Sequence, residues 1–333
     1  MTKTKQCIEW IKDYFKDNPD GRAIIGISGG KDSTIAAALC VEALGPERVI
    51  GVLMPNGLQD DIKDSYAVCD YLKIDYLEVN ICDAYNGLLD NIAISINDWD
   101  ESKEKRGFRI VRGNQMVRTN TPARLRMTTL YAVAALYPNS RVVNTCNRSE
   151  DYVGYSTKYG DAAGDFSPLG NLTVREVLAI GDELGLPSHL VHKAPSDGMC
   201  GKTDEDNLGF TYDELDNFLL GTGEISEETY DKIERLHRTT RHKYTPMPTF
   251  SPVDYDGILG QMTMFDEKPY ADGGLVAPEK TGLASGQTGV PAADYVEPKL
   301  NGLTREEIEH AHNMYNRTIE MLAKNGVEYR GIE

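Results

Sequence analysis

The run Val49-Ile50-Gly51-Val52-Leu53 constrains this chain more than any other stretch. It is almost continuously apolar, so as a strand it must be covered on both faces. Strands of that kind belong to parallel sheets flanked by helices. An earlier apolar run, Ala23-Ile24-Ile25-Gly26-Ile27, is joined to it by a helical pattern over 33–44. Strand, helix, strand in that order requires a crossover and a parallel pair. The alternation continues with a helix over 60–72, carrying Ile62, Tyr66, Cys69 and Leu72 on one side. A strand over 76–81 and a fourth strand over 141–145 follow. The expected fold is α/β, a doubly wound, Rossmann-like parallel sheet with helices on both faces.

Where the first strand meets its helix stands Gly26-Ile27-Ser28-Gly29-Gly30-Lys31-Asp32-Ser33. Strand, glycine turn and helix together present backbone N–H groups and a helix N-terminus to an anion. Gly29 and Gly30 permit close approach of a phosphate, and Ser28 and Ser33 offer hydroxyls. Asp32 would repel a bare phosphate, but a Mg²⁺ between the two removes the conflict. Lys31 is followed by Asp32, which excludes the Walker A pattern, and G-x-G-x-x-G is absent here. Ser-Gly-Gly-x-Asp-Ser resembles the pyrophosphatase loop of enzymes that split ATP into AMP and pyrophosphate. Ligands of open α/β sheets lie at the carboxyl ends of the strands. That rule brings Thr145 and Glu150, which follow the fourth strand, toward the same crevice. Glu150 reads either as a second metal carboxylate beside Asp32 or as an acid favoured at a helix start.

Charge and cysteine usage narrow the field. The 35 basic and 52 acidic residues leave a net charge of −17, which opposes non-specific nucleic-acid binding while leaving room for a nucleotide in a local basic pocket. Arg106, Arg109, Arg112 and Arg118 form such a local cluster in a stretch, 86–118, that otherwise shows no clear pattern. The six cysteines contain no C-x-x-C pair, arguing against zinc and iron–sulfur centres. Cys40 and Cys69 read as core thiols. The first 15 residues lack the apolar segment of a signal peptide, and no stretch approaches the roughly 18 apolar residues of a membrane span. A reducing cytoplasm is the expected setting.

Local signals place the remaining elements. Ile8, Ile11 and Phe15 mark an amphipathic first helix over 3–17. Pro122, with Thr121 as N-cap, predicts a helix start that leads through Leu125, Leu130, Val133 and Ala134. Thr173-x-x-Glu176 and Thr211-x-x-Glu214 are capping boxes that open helices to Leu184 and Leu220. Residues 226–242 read as a further helix with Tyr230, Ile233 and Leu236 inward. From 245 to 298 frequent Pro and Gly replace periodicity. This predicts an irregular arm, ending in a helix capped at Thr304 with Ile308, Ala311, Tyr315, Ile319 and Leu322 as its stripe.

Taken in chain order, several segments resemble ammonia-dependent NAD⁺ synthetases. They are the 26–33 loop, Thr121-Pro122-Ala123-Arg124-Leu125-Arg126-Met127, Asn144-Thr145-Cys146-Asn147-Arg148-Ser149-Glu150, the Gly154 to Asp165 run, Lys193-Ala194-Pro195-Ser196-Asp197 and His242-Lys243. The likeness covers residues 1–245 and leaves 246–333 as an extension without an assigned role. It implies an adenine nucleotide α-hydrolase-like sheet and amidation of deamido-NAD⁺ with ammonia. In that family ATP adenylates the nicotinate carboxylate and releases pyrophosphate, and ammonia then displaces AMP. By resemblance, Asp32 and Glu150 hold Mg²⁺. Gly26, Ile27, Ser28, Gly29, Gly30, Lys31, Asp32, Ser33, Gln59, Thr145 and Ser196 meet ATP. Arg124, Lys158, Asp165, His242 and Lys243 meet deamido-NAD⁺. The polar stretch 197–206 looks like a lid, in which Asp204 or Asp206 orients ammonia or takes its proton. A homodimer is implied as well.

One departure stands out. Such enzymes usually carry a Lys just after the Leu-Thr that enters the helix at 173, whereas this chain has Val174, so either Arg175 or Lys31 supplies the charge or the transition state is stabilised by a different arrangement. The chain begins about 25 residues before its ATP loop, too few for an added glutamine amidase domain. Two other readings keep the loop. One is a different adenylating enzyme, tRNA-thiolating or GMP-synthetase-like, and the other is a non-catalytic adenine-nucleotide sensor. Thiolation would call for catalytic cysteines and a basic RNA face, which the sequence lacks.

Overall fold

The structure, a computed structural model, describes residues 1–59, 61–98, 106–192 and 204–250, all within a unit spanning Met1–Ser251. Ser196, the 197–203 part of the expected lid and the expected C-terminal arm with its final helix lie outside the described residues. Helix α1 (Lys3–Tyr14) begins on the Thr2 hydroxyl, which accepts the Lys5 N–H. Then come β1 (Ala23–Gly26), α2 (Lys31–Leu44), β2 (Val49–Leu53), α3 (Ile62–Leu72) and β3 (Asp75–Glu78). After α4 (Cys82–Asp98), α5 (Arg106–Gly113) and α6 (Gln115–Ala134), the chain returns to the sheet as β4 (Arg141–Val142).

The strands are parallel in the order β3-β2-β1-β4, with Ala23 level with Val49 on one side and Arg141 on the other. Strand pleating sends alternate residues to opposite faces. Ile24, Ile50, Val52 and Val142 join one apolar cluster with Met127, Leu130 and Val133 of α6. Ala23, Ile25, Val49 and Leu53 join another with Ile11, Ile35, Leu39, Val68 and Cys69. Both faces are therefore covered by helices, as the unbroken apolar run of β2 demanded. Cys40 and Cys69 are buried in that second cluster. At the edge, β3 is exposed along its length and carries Asp75 and Glu78, charges that discourage pairing with another chain.

Two local expectations are corrected. Pro122 does not start a helix: it is the eighth residue of α6, whose N-cap is Asn114, accepting the Val117 N–H through its side chain. An interior proline costs about 3 kcal/mol, offset here by burial of its ring and of Met127, Leu130 and Val133 along the same helix. The described residues of the unpatterned stretch are thus largely helical, in α4, α5 and the start of α6, with α4 and α5 packed through Leu89, Ala93 and Val111. The remaining helices are α7 (Arg148–Val153), α8 (Val174–Glu183), α9 (Ser188–Val191), α10 (Asp204–Leu208), α11 (Tyr212–Leu220) and α12 (Glu227–Thr240). Both expected capping boxes form, at Thr173 with Glu176 and at Thr211 with Glu214. In α12, Ile233 is buried, but Tyr230 stays exposed and meets Phe218 edge-on at 5.4 Å.

The strand order fixes where a ligand can sit. The chain runs outward from β1 through β2 to β3, then returns to the far side of β1 as β4. The loops leaving β1 and β4 therefore diverge at a topological switch point, opening a crevice at the carboxyl ends.

Candidate active site

The loop after β1 is stitched from within. Ile27 N–H donates to Val52 O at 3.1 Å, which keeps the loop in line with the sheet. Ser28 N–H donates to Ser33 Oγ (3.3 Å), the two hydroxyls lie 3.1 Å apart, and Gly30 N–H donates to Ser28 Oγ (3.2 Å). Ser33 Oγ and Thr34 Oγ1 both donate to Gly30 O. The serines thus shape the turn. Gly29 has φ +75°, and a Cβ there would lie 2.9 Å from Asp64 Cβ, so this position needs glycine. Gly30 caps α2 without a side chain, and the first-turn N–H groups of Lys31, Asp32 and Ser33 have no acceptor inside the helix. They form the anion-facing end of the site.

Two carboxylates from different helix starts converge beside it. Asp32 lies in the first turn of α2 and Glu150 in the first turn of α7. Lys31 Nζ lies 2.7 Å from Asp32 Oδ2 and 3.9 Å from Glu150 Oε1. The opposite oxygens are held by Asn147, which is fully buried. Its Nδ2 donates to Asp32 Oδ1 (3.0 Å), its backbone N–H to Glu150 Oε2 (3.4 Å), and its Oδ1 accepts the Glu150 N–H (3.0 Å). The helix-start reading of Glu150 is realised: one oxygen closes a capping box, and the other faces the Lys31 ammonium. Burial, then Asp32, pushes the Glu150 carboxyl well above the usual range, against Lys31 and the Asn147 N–H. Burial by itself would lower the Lys31 pKa, but Asp32, Glu150 and Asp204 outweigh it and raise it. The ammonium therefore stays charged.

The two cations considered for the missing lysine's role are placed differently. Val174 is buried in an apolar cluster with Val153, Leu215 and Ile233. Arg175 points its guanidinium at Asp213 Oδ1 and Asn217 Oδ1 on α11. Lys31 is the cation that faces the carboxylates. The oxygen-only donor pair suits a hard divalent ion such as Mg²⁺, which takes one or two carboxylates and completes its shell with water and phosphate. A cation already lies against both carboxylates, which is the observation in favour of that fit. Among the described residues no group of three or more His, Cys, Asp or Glu is arranged to hold a metal.

The expected acceptor-side residues gather around the loop that follows α7. Arg124 Nε donates to Lys158 O (3.2 Å), and Lys158 Nζ donates to His242 O. Lys243 Nζ donates to Gly154 O (2.6 Å) and Ser156 O (2.9 Å), and burial lowers its pKa. Lys158, Tyr159, Gly164, Lys243, Tyr244 and Met247 line an open groove of about 480 Å³. Asp165 is placed differently. Its carboxylate accepts Val142 N–H (2.7 Å) and the Tyr131 hydroxyl (3.1 Å), so it secures the edge of β4. Thr145 and Gln59 are half-buried on the loops after β4 and β2. Asp204 opens α10 and accepts the Tyr155 hydroxyl at 3.1 Å; Asp206 shares that helix.

Sequence reasoning passed over three residues. Asn147 carried a visible signal, since Asn three residues before Glu is a helix-start pattern. Arg126, whose Nε donates to Met54 O (3.0 Å) at the end of β2, sat in a quoted segment without a role. Tyr212, with its ring 5.7 Å from Lys31 Nζ, gave no local signal beyond its capping box.

Comparison with known proteins agrees with this geometry. The NAD synthase family model matches residues 3–247. The NH(3)-dependent NAD(+) synthetase of Carboxydothermus hydrogenoformans is 37% identical over 243 residues, covering 72% of this chain and 93% of that protein. The enzyme of the same description from Pyrococcus horikoshii is 35% identical over 250 residues, covering 71% and 90%. Among solved structures, NMN synthetase from Francisella tularensis superposes with a TM-score of 0.64 at 33% identity, covering 75% of this chain and 97% of that one. The NH3-dependent NAD synthetase of Campylobacter jejuni gives 0.56 at 26% identity, with the same coverage. With the match spanning the sheet, the phosphate loop and both carboxylates, this chain belongs to the NAD synthase family.

Proposed function

We propose that the protein amidates the nicotinate carboxylate of deamido-NAD⁺ with ammonia, using ATP and releasing AMP and pyrophosphate. The observation that carries this reading is the meeting of Asp32 and Glu150 on one cation, beside a phosphate loop at the switch point of the sheet. A carboxylate is a poor electrophile, and its transfer to the α-phosphorus of ATP makes it a good one. The N–H groups at the start of α2 cradle the pyrophosphate as it leaves, with Gly26 to Ser33, Gln59, Thr145 and Ser196 on the ATP side. Mg²⁺ held by Asp32 and Glu150 would neutralise the phosphates and the charge that grows on the leaving group. Arg124, Lys158, His242 and Lys243 receive the acceptor's phosphates, and Asp165 holds the strand against which they are arranged. Ammonia, oriented by Asp204 or Asp206, attacks the acyl carbon and gives up a proton to that carboxylate; the C–N bond forms and the C–O bond to AMP breaks. A homodimer in the cytoplasm completes the proposal, with neither nucleic acid nor membrane as partner. Among the described residues no helix is long and apolar enough to cross a membrane.

The test is purified protein with ATP, Mg²⁺, ammonium and deamido-NAD⁺. Equal amounts of NAD⁺, AMP and pyrophosphate are expected; ATP turnover without NAD⁺ would refute the acceptor, and no turnover at all would refute the reaction. A second acceptor, nicotinate mononucleotide, is favoured by one observation. The NMN synthetase superposes better than the C. jejuni NAD synthetase, 0.64 against 0.56. Running both acceptors side by side and comparing kcat/KM decides between them.

A further inference from the structure

Asp216 lies in the middle of α11, and its carboxylate is buried, the residue being only 1% exposed. A buried charge persists only with partners. Among the described residues no cationic side chain pairs with it, and its partners are two helix starts instead. Ser149 Oγ, in the first turn of α7, donates to Asp216 Oδ1 at 2.6 Å. The Arg175 backbone N–H, in the first turn of α8, donates to Oδ2 at 2.7 Å. Ser149 is itself fully buried, and its Oγ accepts the Val174 N–H at 3.2 Å. One charge thus joins α7, α8 and α11.

The arrangement fixes every donor. A carboxylate only accepts, so the Ser149 proton turns to Asp216 and leaves its oxygen to accept from Val174. An amide in place of Asp216 would set an N–H group against one of its two donors. With the Glu176 N–H on Thr173 Oγ1, the first-turn N–H groups of α8 are all satisfied. The consequence falls on α7. A helix of six residues does not hold by itself, so its place depends on ties to its neighbours. Asn147 ties its cap to Asp32, the Arg148 N–H donates to Leu172 O, and Ser149 ties its first turn to Asp216. Glu150, which meets Asp32 across the Lys31 ammonium, comes directly after Ser149.

We propose that Asp216 is a positioning residue for the adenylation step. Through Ser149 it holds the first turn of α7 where the Glu150 carboxylate stands opposite Asp32. The inference rests on the proposed role of Glu150 as a metal carboxylate and adds what secures that residue to α11.

Asp216→Asn keeps the shape and turns one acceptor into a donor. With a non-hydrolysable ATP analogue present, Mn²⁺ should bind this variant about tenfold more weakly than wild type. Electron paramagnetic resonance of the free ion reads the affinity, at a temperature where both proteins are folded. Ile233→Val, a change in the neighbouring apolar cluster, lowers stability without touching these ties and should keep wild-type Mn²⁺ affinity. An equal weakening in both variants would make the role of Asp216 structural alone and overturn the proposal. Ser149→Ala deletes the hydroxyl between Asp216 and α7. It should weaken Mn²⁺ to the same degree, and the double variant no further, because both changes cut one linkage. Wild-type affinity in Ser149→Ala, or losses that add in the double variant, would overturn the linkage; Ser149→Ala decides alone if Asp216→Asn does not fold. Absence of Mn²⁺ binding in wild type would overturn the positioning role together with the metal role of Glu150. Absence of NAD⁺ formation by wild type, with the Mn²⁺ difference intact, would instead refute the amidation reading and leave the positioning role standing.

Discussion

Asn147→Ser separates two tasks that one side chain performs. Asn147 Oδ1 caps α7 by accepting the Glu150 N–H, and Nδ2 braces Asp32 Oδ1 at 3.0 Å. Serine is as good an N-cap as asparagine but has no amide to reach Asp32. The variant therefore loses one buried hydrogen bond to a charged group, about 2 kcal/mol, and keeps the helix start. For a unit of this size that corresponds to a melting temperature lower by about 4–8 °C. Asn147→Ala loses the cap as well and should cost about 1 kcal/mol more. Function should divide differently. Both variants free the same Asp32 oxygen and let the two carboxylates drift apart, so Mn²⁺ in the presence of a non-hydrolysable ATP analogue should bind about tenfold more weakly to both. Electron paramagnetic resonance of the free ion gives the affinity, and scanning calorimetry gives the stability. Serine and alanine variants of equal stability would refute the cap; wild-type Mn²⁺ affinity in both would refute the brace.

Other consequences follow from the same geometry. Asp32→Asn should lower kcat by about 10²–10³-fold and, because Lys31 and Asn147 lose the charge they face, cost about 2 kcal/mol of stability; turnover near wild type in the folded variant would remove Asp32 from the reaction. Lys31→Met leaves Asp32 and Glu150 facing one another without their ammonium and should cost about 3 kcal/mol. Millimolar Mg²⁺ should then raise its melting temperature more than that of wild type, and an equal response would count against a shared cation position. Arg175→Ala should cost less than about 1 kcal/mol and leave the ATP KM unchanged; a raised KM would move the phosphate cation from Lys31 to Arg175. Burial opposes ionisation of Glu176, but Lys3 and the capping box at Thr173 outweigh it and lower its pKa. Its stabilisation is therefore full above the unfolded value near ~4.3 and fades as pH falls through the lowered native value. Glu176→Gln should be about 0.5 kcal/mol less stable at pH 7, and the difference should close as pH falls through the lowered native value, as measured by urea midpoints.

What could be read in the sequence was what depends on near neighbours. Val49 to Leu53 announced a strand covered on both faces, Ser28 to Ser33 a phosphate turn, and Thr173 and Thr211 two helix starts, because each of these signals lies within a few residues. Pro122 misled for the same reason. Its local preference for a first helical turn was overridden by burial of α6 against the sheet and by the better cap at Asn114. Residues 86–98 hid a helix because α4 leaves Leu88, Ile92 and Ile94 exposed while burying Leu89 and Ala93, which blurs its stripe. The pairing of Asp32 with Glu150 came from a topological rule. The residue that joins them, Asn147, could be found only in three dimensions. Tyr212 and Lys31 are 181 positions apart, and no spacing rule connects them.

The short last strand has a consequence for recognition. β4 contributes only two residues, and the chain around 165 completes its outer edge: Asp165 N–H donates to Val142 O, Asn144 N–H to Phe166 O, and Val143 bridges Phe166. At its other end the same loop is tied by Lys243 to Gly154 and Ser156. The segment that carries Lys158 is thus a suspended span with both abutments built into the framework. Its ordering entropy is lost when the protein folds, so an acceptor bound at Lys158 as proposed would meet a stiff receiver, and its binding free energy would not be diminished by arranging the loop.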